Sequence, residues 1–451
     1  MFPLLRDHPD NTGSPVVAGL PDWRAKRIQY FLIRSNKSVI GRPLKENSLL
    51  SDAIFAHDEA MNVNLLDLKA QNAALEPELQ EAFLRVLRSG HFILGPEVDR
   101  FERALADFTG AKHALGVSSG TDAILLALMA LGIGPGDEVL CPSFTFFATA
   151  GCVARVGAKP VFVDSCPVCF NLDLGDAARR VTRHTKAILP VHLFGQAADM
   201  DGVLDLARQH ELWVIEDAAQ AMGATHHDKQ VGTFGDFGTI SFFPTKNLGA
   251  LGDAGALLTN DTALFERARI LRVHGMNPKY YHPLIGANFR LDALQAAMLS
   301  VKLPHFDGYT VARRHNAALY TERLAQLPGV EVARAEDCGR AQAGNVTARL
   351  VLPVAAPHNG HIWNQYTLRV IGAGRRDALR AHLTARGVGS EIYYPLPLHE
   401  QACFAHLGNK AQDFPWAHRL AGEVMSLPIY PEIPAEQIEQ VCAVIAEFLQ
   451  A

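Results

Sequence analysis

Apolar and polar positions follow two different periods along this chain, and the change from one to the other is the first structural signal. Between residues 61 and 110, Leu79, Phe83, Val86 and Leu87 recur at helical spacing, and Val98, Phe101, Leu105 and Phe108 do so again. Two amphipathic helices are predicted there. From about residue 111 short apolar runs alternate with helical stretches. "HALGVSSGTDAILLALMAL" and "DEVLCPSFTFFATAGCVARVG" each read as strand, glycine or proline turn, and helix. "KPVFVD" is a further strand, and "KAILPVHLFG", "MDGVLDLARQHE" and "LWVIEDAAQAMGA" give strand, helix and strand. In "GTISFFPTKNLGALGDAGALLTN" a strand-like run ends near Phe243 and a second begins near Ala256. Alternation on this scale predicts an α/β domain, a mostly parallel sheet with helices on both faces, over residues 61–300. Such sheets bind ligands in the loops at the carboxyl ends of their strands. Beyond about residue 300, a long helix in "TVARRHNAALYTERLAQLPG" and strand candidates "QYTLRVI" and "SEIYYPL" predict a smaller α/β domain, 301–451. Residues 1–60 lack sustained periodicity; they are expected to be poorly ordered or foreign to the native protein, with Met61 as the true start.

Composition narrows the function classes. The 451 residues are 48% hydrophobic and 20% charged, enough to bury a large core. A formal charge of -5 speaks against nucleic acid or an anionic membrane as the partner. No apolar run approaches the roughly 18 residues of a spanning helix, and the first residues lack a signal-peptide pattern. Seven unevenly spaced cysteines do not read as a disulfide framework. A cytoplasmic location is expected.

The chemistry lies at the strand ends. "SSGTDA" places Ser118, Ser119, Gly120 and Thr121 between a strand and a helix, where backbone N–H groups and hydroxyls suit a phosphate. Taken alone, the serines are equally ordinary N-caps. In "PSFTFFATA", Phe144, Phe146 and Phe147 offer a flat surface or simply core. Asp217, ending "VIED" beside Glu216, is a carboxylate costly to bury without a cation, and Gln220 follows three residues on. Lys246 alone reads most simply as a side chain that snorkels to water. In a dry site it would instead be a nucleophilic amine. Together these groups answer the four needs of pyridoxal 5'-phosphate: donors for phosphate, a plate for the ring, a carboxylate for the ring nitrogen and an amine for the aldehyde.

From about Asn64 to its end the chain also resembles the DegT/DnrJ/EryC1/StrS family of nucleotide-sugar aminotransferases, which are fold-type I pyridoxal phosphate enzymes. The stretches that carry the resemblance are "SGHFILGPEV", "GVSSGTDAILLAL", "GPGDEVLCPSFTFFATA", "VIEDAAQAMGA", "GTFGDFGTISFFPTKNLGALGDAGAL", "GANFRLDALQAAML" and "YYPLPLHEQACF". The resemblance implies that Lys246 binds the cofactor aldehyde and then shuttles the proton. It implies that Asp217 partners the ring nitrogen, that Gln220 donates to the ring oxygen and that Phe146 stacks on the ring. Gly120, Thr121 and Ser241 fall where the family holds the phosphate. Asn288 falls where a neighbouring subunit reaches it, which implies a homodimer with shared active sites. L-glutamate is the implied donor and a nucleotide-linked ketosugar, dTDP or UDP, the acceptor. A branch that removes sugar oxygen carries histidine in place of the lysine, so Lys246 argues against that chemistry. "YYPLPLHEQ" looks more like members acting on 3-keto than on 4-keto sugars, with Tyr394 and His399 lining the sugar pocket. Arg290 could meet a uronate carboxylate or simply pack. Ala254 departs from a usual glycine.

Other signals weigh less. "CPVC" (Cys166–Cys169) has metal or redox spacing but no second pair of that spacing. "GIGPG" (132–136) follows a helix and precedes a strand, the reverse of a dinucleotide loop. His226 and His227 read as a solvated loop rather than a metal site. Two alternatives from other classes stay open: a non-catalytic cofactor- or sugar-binding regulator, and a thiol or metal protein.

Overall fold

The computed structural model describes residues 62–338 and 348–450; the expectations for residues 1–60 and for Met61 lie outside the described residues. Five strands come first: β1 (His113–Val117), β2 (Glu138–Pro142), β3 (Lys159–Val163), β4 (Thr185–Ile188) and β5 (Trp213–Asp217). A short hairpin, β6 (Thr225–His226) and β7 (Lys229–Gln230), leads to β8 (Phe237–Ser241) and β9 (Gly255–Thr259). Seven of these strands make one sheet in the order β1-β9-β8-β5-β4-β2-β3. Only β9 runs against its neighbours, β1 and β8; the pairs β8–β5, β5–β4, β4–β2 and β2–β3 are parallel. All five residues of β9 are buried, as expected of a strand covered on both faces.

The helices show why the sequence pattern was readable. Helix Gly120–Leu131 is apolar around most of its circumference and lies in the core. Helices Glu76–Ser89 and Pro96–Thr109 are amphipathic; Leu79, Ala82 and Val86 face inward from the first, and Val98, Phe101 and Leu105 from the second. Both end on glycines in the left-handed region, Gly90 and Gly110, which close the last turn without a Cβ clash. Phe83 and Leu87, read as part of the same inward stripe, stay about half exposed.

Beyond residue 300 come β10 (Val330–Val332), β11 (Leu350–Leu352), β12 (Asn359–Gly360), β13 (Tyr366–Val370) and β14 (Val424–Leu427). Four of them form a second sheet, β10-β11-β13-β14, while β12 leaves it to pair with β6. The second sheet shares a core with helices Phe306–Leu324 and Ala435–Gln450. "SEIYYPL" does not form the expected strand: Glu391 makes one isolated bridge to Ser426, and Pro395 and Pro397 cannot donate to a ladder. The chain also crosses between the two cores. Val63 bridges Val388 and packs in the second core, whereas Leu398, Phe404 and Phe414 pack in the first.

Candidate active site

The carboxyl ends of β1, β5 and β8 open onto a cavity of about 530 Å³. Its wall contains Gly120, Thr121, Phe146, Asp217, Gln220, Ser241, Lys246 and Tyr394, residues that lie up to 274 positions apart in the chain.

At one end, helix Gly120–Leu131 begins. Ser119 caps it, its Oγ accepting from the Asp122 N–H at 3.0 Å, and Ser118 Oγ donates to Asp122 Oδ2 at 2.5 Å. Gly120 sits against Ser241 so closely that a Cβ would lie 2.8 Å from the serine Cβ. At Gly255 an added Cβ would stand 2.4 Å from the backbone carbon of Ser119. This tight strand–helix junction brings the positive end of a helix dipole and a hydroxyl to the cavity edge, a setting for an anion.

Asp217 and Lys246 lie deeper. Asp217 is the last residue of β5 and is buried; its Oδ2 accepts from Thr149 Oγ1 at 2.8 Å and its Oδ1 from the Ala219 N–H at 3.2 Å. Burial pushes this carboxyl up, against the pull of those two donors and of the Lys246 charge. Lys246 sits in the turn after β8, its N–H bonded to Phe243 O at 2.8 Å. Burial lowers its ammonium from 10.5 to about 8, with Asp217 opposing the shift. About a tenth of the amine is therefore free at pH 7, against well under a thousandth for an unshifted lysine.

Gln220 is oriented by both of its polar atoms. Its Oε1 accepts from the Phe194 N–H at 2.8 Å and its Nε2 donates to Tyr394 Oη at 3.1 Å. Phe146 is 55% exposed and lies beside Tyr394 with ring centres 6.1 Å apart, so it presents a face to the opening. Phe144, by contrast, is buried core.

Three expected site residues do not reach this cavity from their own chain. Asn288 is exposed on the segment before helix Ala293–Lys302. Arg290 is half-buried and its backbone bridges Val117. His399 has its side chain fully covered, with Nδ1 2.5 Å from Ser143 Oγ and the ring against Phe414. Burial lowers this imidazole to about 4, so it stands as a neutral support rather than as part of the wall. Sequence reasoning in turn missed Thr149 and Gln365. Thr149 was a lone hydroxyl inside a quoted stretch, and Gln365 comes to the wall from just before β13 with no motif around it.

The cavity therefore has room at once for a phosphate, for a ring nitrogen beside a carboxylate and for an aldehyde beside an amine. The glycines Gly120 and Gly255 keep that end in shape, since a Cβ at either would collide with Ser241 or with the Ser119 backbone. Fold and cavity together define the class, the pyridoxal phosphate-dependent enzymes of α/β fold. The profile of the DegT/DnrJ/EryC1/StrS aminotransferase family matches residues 73–446, and the chain belongs to that family. It is 49% identical over 388 residues to the pleiotropic regulatory protein of Geobacillus stearothermophilus, covering 86% of this chain and 99% of the relative. It is 42% identical over 388 residues to the UDP-N-acetyl-3-dehydro-alpha-D-glucosamine 3-aminotransferase of Acidithiobacillus ferrooxidans, covering 86% and 98%. Among solved structures, S. venezuelae DesV in complex with a ketimine intermediate matches with a TM-score of 0.80 at 41% identity, over 86% of this chain and 99% of that one. The protein is a pyridoxal phosphate-dependent aminotransferase of nucleotide-linked sugars.

Proposed function

We propose that this chain moves the amino group of L-glutamate to C3 of a dTDP- or UDP-linked 3-keto hexose, and that it works in the cytoplasm as a homodimer with shared active sites. The observation that carries the proposal is the placement of Lys246 and Asp217 on one cavity wall, one amine lowered to about 8 and one buried carboxylate. Pyridoxal phosphate supplies an aldehyde that condenses with amines and a protonated ring that accepts the electron pair left when a neighbouring C–H bond breaks. Asp217, held by Thr149 and Ala219, would keep the ring nitrogen protonated. Phe146 would cover the ring face and Gln220 would donate to the ring oxygen. Gly120, Thr121 and Ser241 would hold the phosphate. Lys246, once its amine is free, would take the proton from the donor's Cα; in the second half of the cycle it would return a proton to the sugar carbon. The nitrogen thereby passes from glutamate, which leaves as 2-oxoglutarate, to the ketone carbon.

Support for C3 comes from "YYPLPLHEQ" and from the name of the A. ferrooxidans relative. Tyr394, on the cavity wall and bonded to Gln220, would meet the sugar. Residues 61–300 would form the cofactor domain and 301–451 the smaller one, which lends Gln365 and Tyr394 to the wall. The dimer reading rests on Asn288, exposed and away from its own cavity, on a segment that also exposes Tyr280, Tyr281 and Ile285. In the dimer, Asn288 would reach the partner's phosphate, and Arg290 beside it would face an acidic sugar such as a uronate. Although one relative is named a regulatory protein, a lysine of lowered pKa facing a buried carboxylate in a ligand-sized cavity favours turnover.

The test uses the visible absorption of cofactor-loaded protein. L-glutamate should bleach the band, and a nucleotide-linked 3-keto hexose should restore it while a 4-keto hexose does not. Restoration by the 4-keto sugar alone would move the reaction to C4. No bleaching by any amino donor would sink the catalytic reading.

A further inference from the structure

We propose that Asp201, His226 and His227 bind a zinc ion that ties the helix leading into β5 to the hairpin that follows it. None of the three lines the cofactor cavity. Their ligand atoms lie within 4.8 Å of one another, with Asp201 Oδ2 3.3 Å from His226 Nε2 and 3.0 Å from His227 Nε2. Ligands at about 2.0–2.1 Å from a tetrahedral zinc stand roughly 3.3 Å apart. Both measured edges are near that length.

The hydrogen bonds behind His226 determine what its Nε2 is. Asn359 Nδ2 donates to Ala197 O at 2.9 Å, which turns the Oδ1 of the same amide toward His226 Nδ1 at 2.7 Å. An amide oxygen only accepts, so Nδ1 carries the proton. The other nitrogen of the ring, Nε2, faces the Asp201 carboxylate oxygen. His226 is 6% exposed, and among the described residues its Nε2 has no hydrogen-bond partner. A cation between the two would give that nitrogen a partner, and two imidazoles with one carboxylate form a donor set that suits zinc. The Asn359 bond behind the ring is the kind of support that fixes the tautomer of a metal-binding histidine. His226 is thus not the solvated loop residue that its sequence suggested.

The backbone is shaped to bring both rings together. Consecutive residues of a strand point to opposite faces, but His227 and Asp228 take φ of 46° and 61°, closing the β6–β7 hairpin through two left-handed residues. His358 has φ of 63°. Its ring stacks on His227 at 4.4 Å, and its carbonyl accepts the His227 N–H at 2.9 Å. Non-glycine residues persist in that region only where their surroundings hold them. Asp201 arrives from the first turn of helix Met200–His210. The Asp201 and His227 side chains are 66% and 50% exposed, which leaves a fourth position open to water. A metal here would brace both connections to β5, the strand that ends in Asp217.

Full-length, cofactor-loaded protein, stripped with a chelator and titrated with zinc chloride alone in a calorimeter, should take up one zinc per chain and melt at higher temperature. D201N and H227Q, at exposed positions, should keep the zinc-free melting temperature of the parent and lose at least ~10-fold in zinc affinity. Cobalt(II) in place of zinc should give the strong visible bands of a tetrahedral site in the parent and not in the variants. Absence of uptake, or uptake unchanged in both variants, would overturn the proposal and leave His226 as a protonated partner of Asp201.

Discussion

Glu216 and Asp217 are neighbours at the end of β5, yet the strand pleat sends them into opposite surroundings. Glu216 is entirely buried and receives four donors: the N–H groups of Gly232 (2.7 Å), Phe234 (2.7 Å) and Gly235 (2.8 Å), and His192 Nε2 (3.0 Å). His192 Nδ1 accepts from the Ala198 N–H at 3.0 Å, so its proton is on the nitrogen that faces Glu216. Asp217 has two donors, lines the cavity and is pushed up by burial. A carboxylate with every lone pair filled fastens loops; one left short of partners keeps capacity for a cation or an N–H. Two lysines of lowered pKa repeat the contrast. Burial lowers both Lys246 and Lys302 to about 8, but Lys302 Nζ is spent on Gly249 O at 3.0 Å, whereas Lys246 opens onto the cavity. A shifted pKa alone does not mark the reactive group; what lies beside it does.

The largest effect should come from the lysine pair. Lys246→Ala should lower transamination by at least about 10²–10⁴-fold, the range of a lost proton-transfer group. Lys302→Ala should leave turnover unchanged and cost about 1–3 kcal/mol of stability in a denaturant melt. Equal losses of activity in both would erase the distinction.

The carboxylates should separate next. Asp217→Asn is expected to cut kcat by roughly 10²–10³-fold while the melting temperature holds. Glu216→Gln should do the reverse, losing about 3 kcal/mol of stability with near-parental turnover in the folded fraction. If Glu216→Gln were as inactive as Asp217→Asn, the two faces would not be independent.

A pH series sharpens the Lys246 reading. The neutral amine is the nucleophile, so the rate of covalent cofactor attachment to stripped protein should rise about tenfold per pH unit below 8 and level off above it. A continued rise toward 10.5 would show an amine that burial has not shifted. The smallest effect is expected at the cavity mouth, where Phe146→Ala should weaken cofactor retention by about 1 kcal/mol in equilibrium dialysis.

Much of the fold was legible in the sequence. Each strand–helix unit is written locally, in runs such as "DEVL" and "FATAGCVAR", and Lys246, Asp217 and Gln220 sit where the runs stop. What escaped depends on distance or on backbone handedness. Gln365 joins the cavity wall, and Thr149 the Asp217 carboxylate, only through the packing of distant segments. "SEIYYPL" has strand composition, yet Pro395 within it and Pro397 just after it cannot donate to a ladder. His399 lies in a motif but points into the core behind Ser143. The pairing of His226 with Asp201 needs two left-handed residues at His227 and Asp228, neither a glycine, so nothing local announces that turn. Cys338 packs beside Cys166 and Cys169 across more than 160 positions, a neighbour that "CPVC" gave no sign of.

The central claim, that Lys246 is the amine that holds the cofactor across from Asp217, is tested most directly by chemical trapping. The cofactor-loaded protein would be reduced with borohydride, digested and mapped by mass spectrometry. A reduced pyridoxyl phosphate adduct is predicted on Lys246, with none on Lys302. An adduct on any other lysine, or no adduct in protein that shows the visible band, would contradict the account.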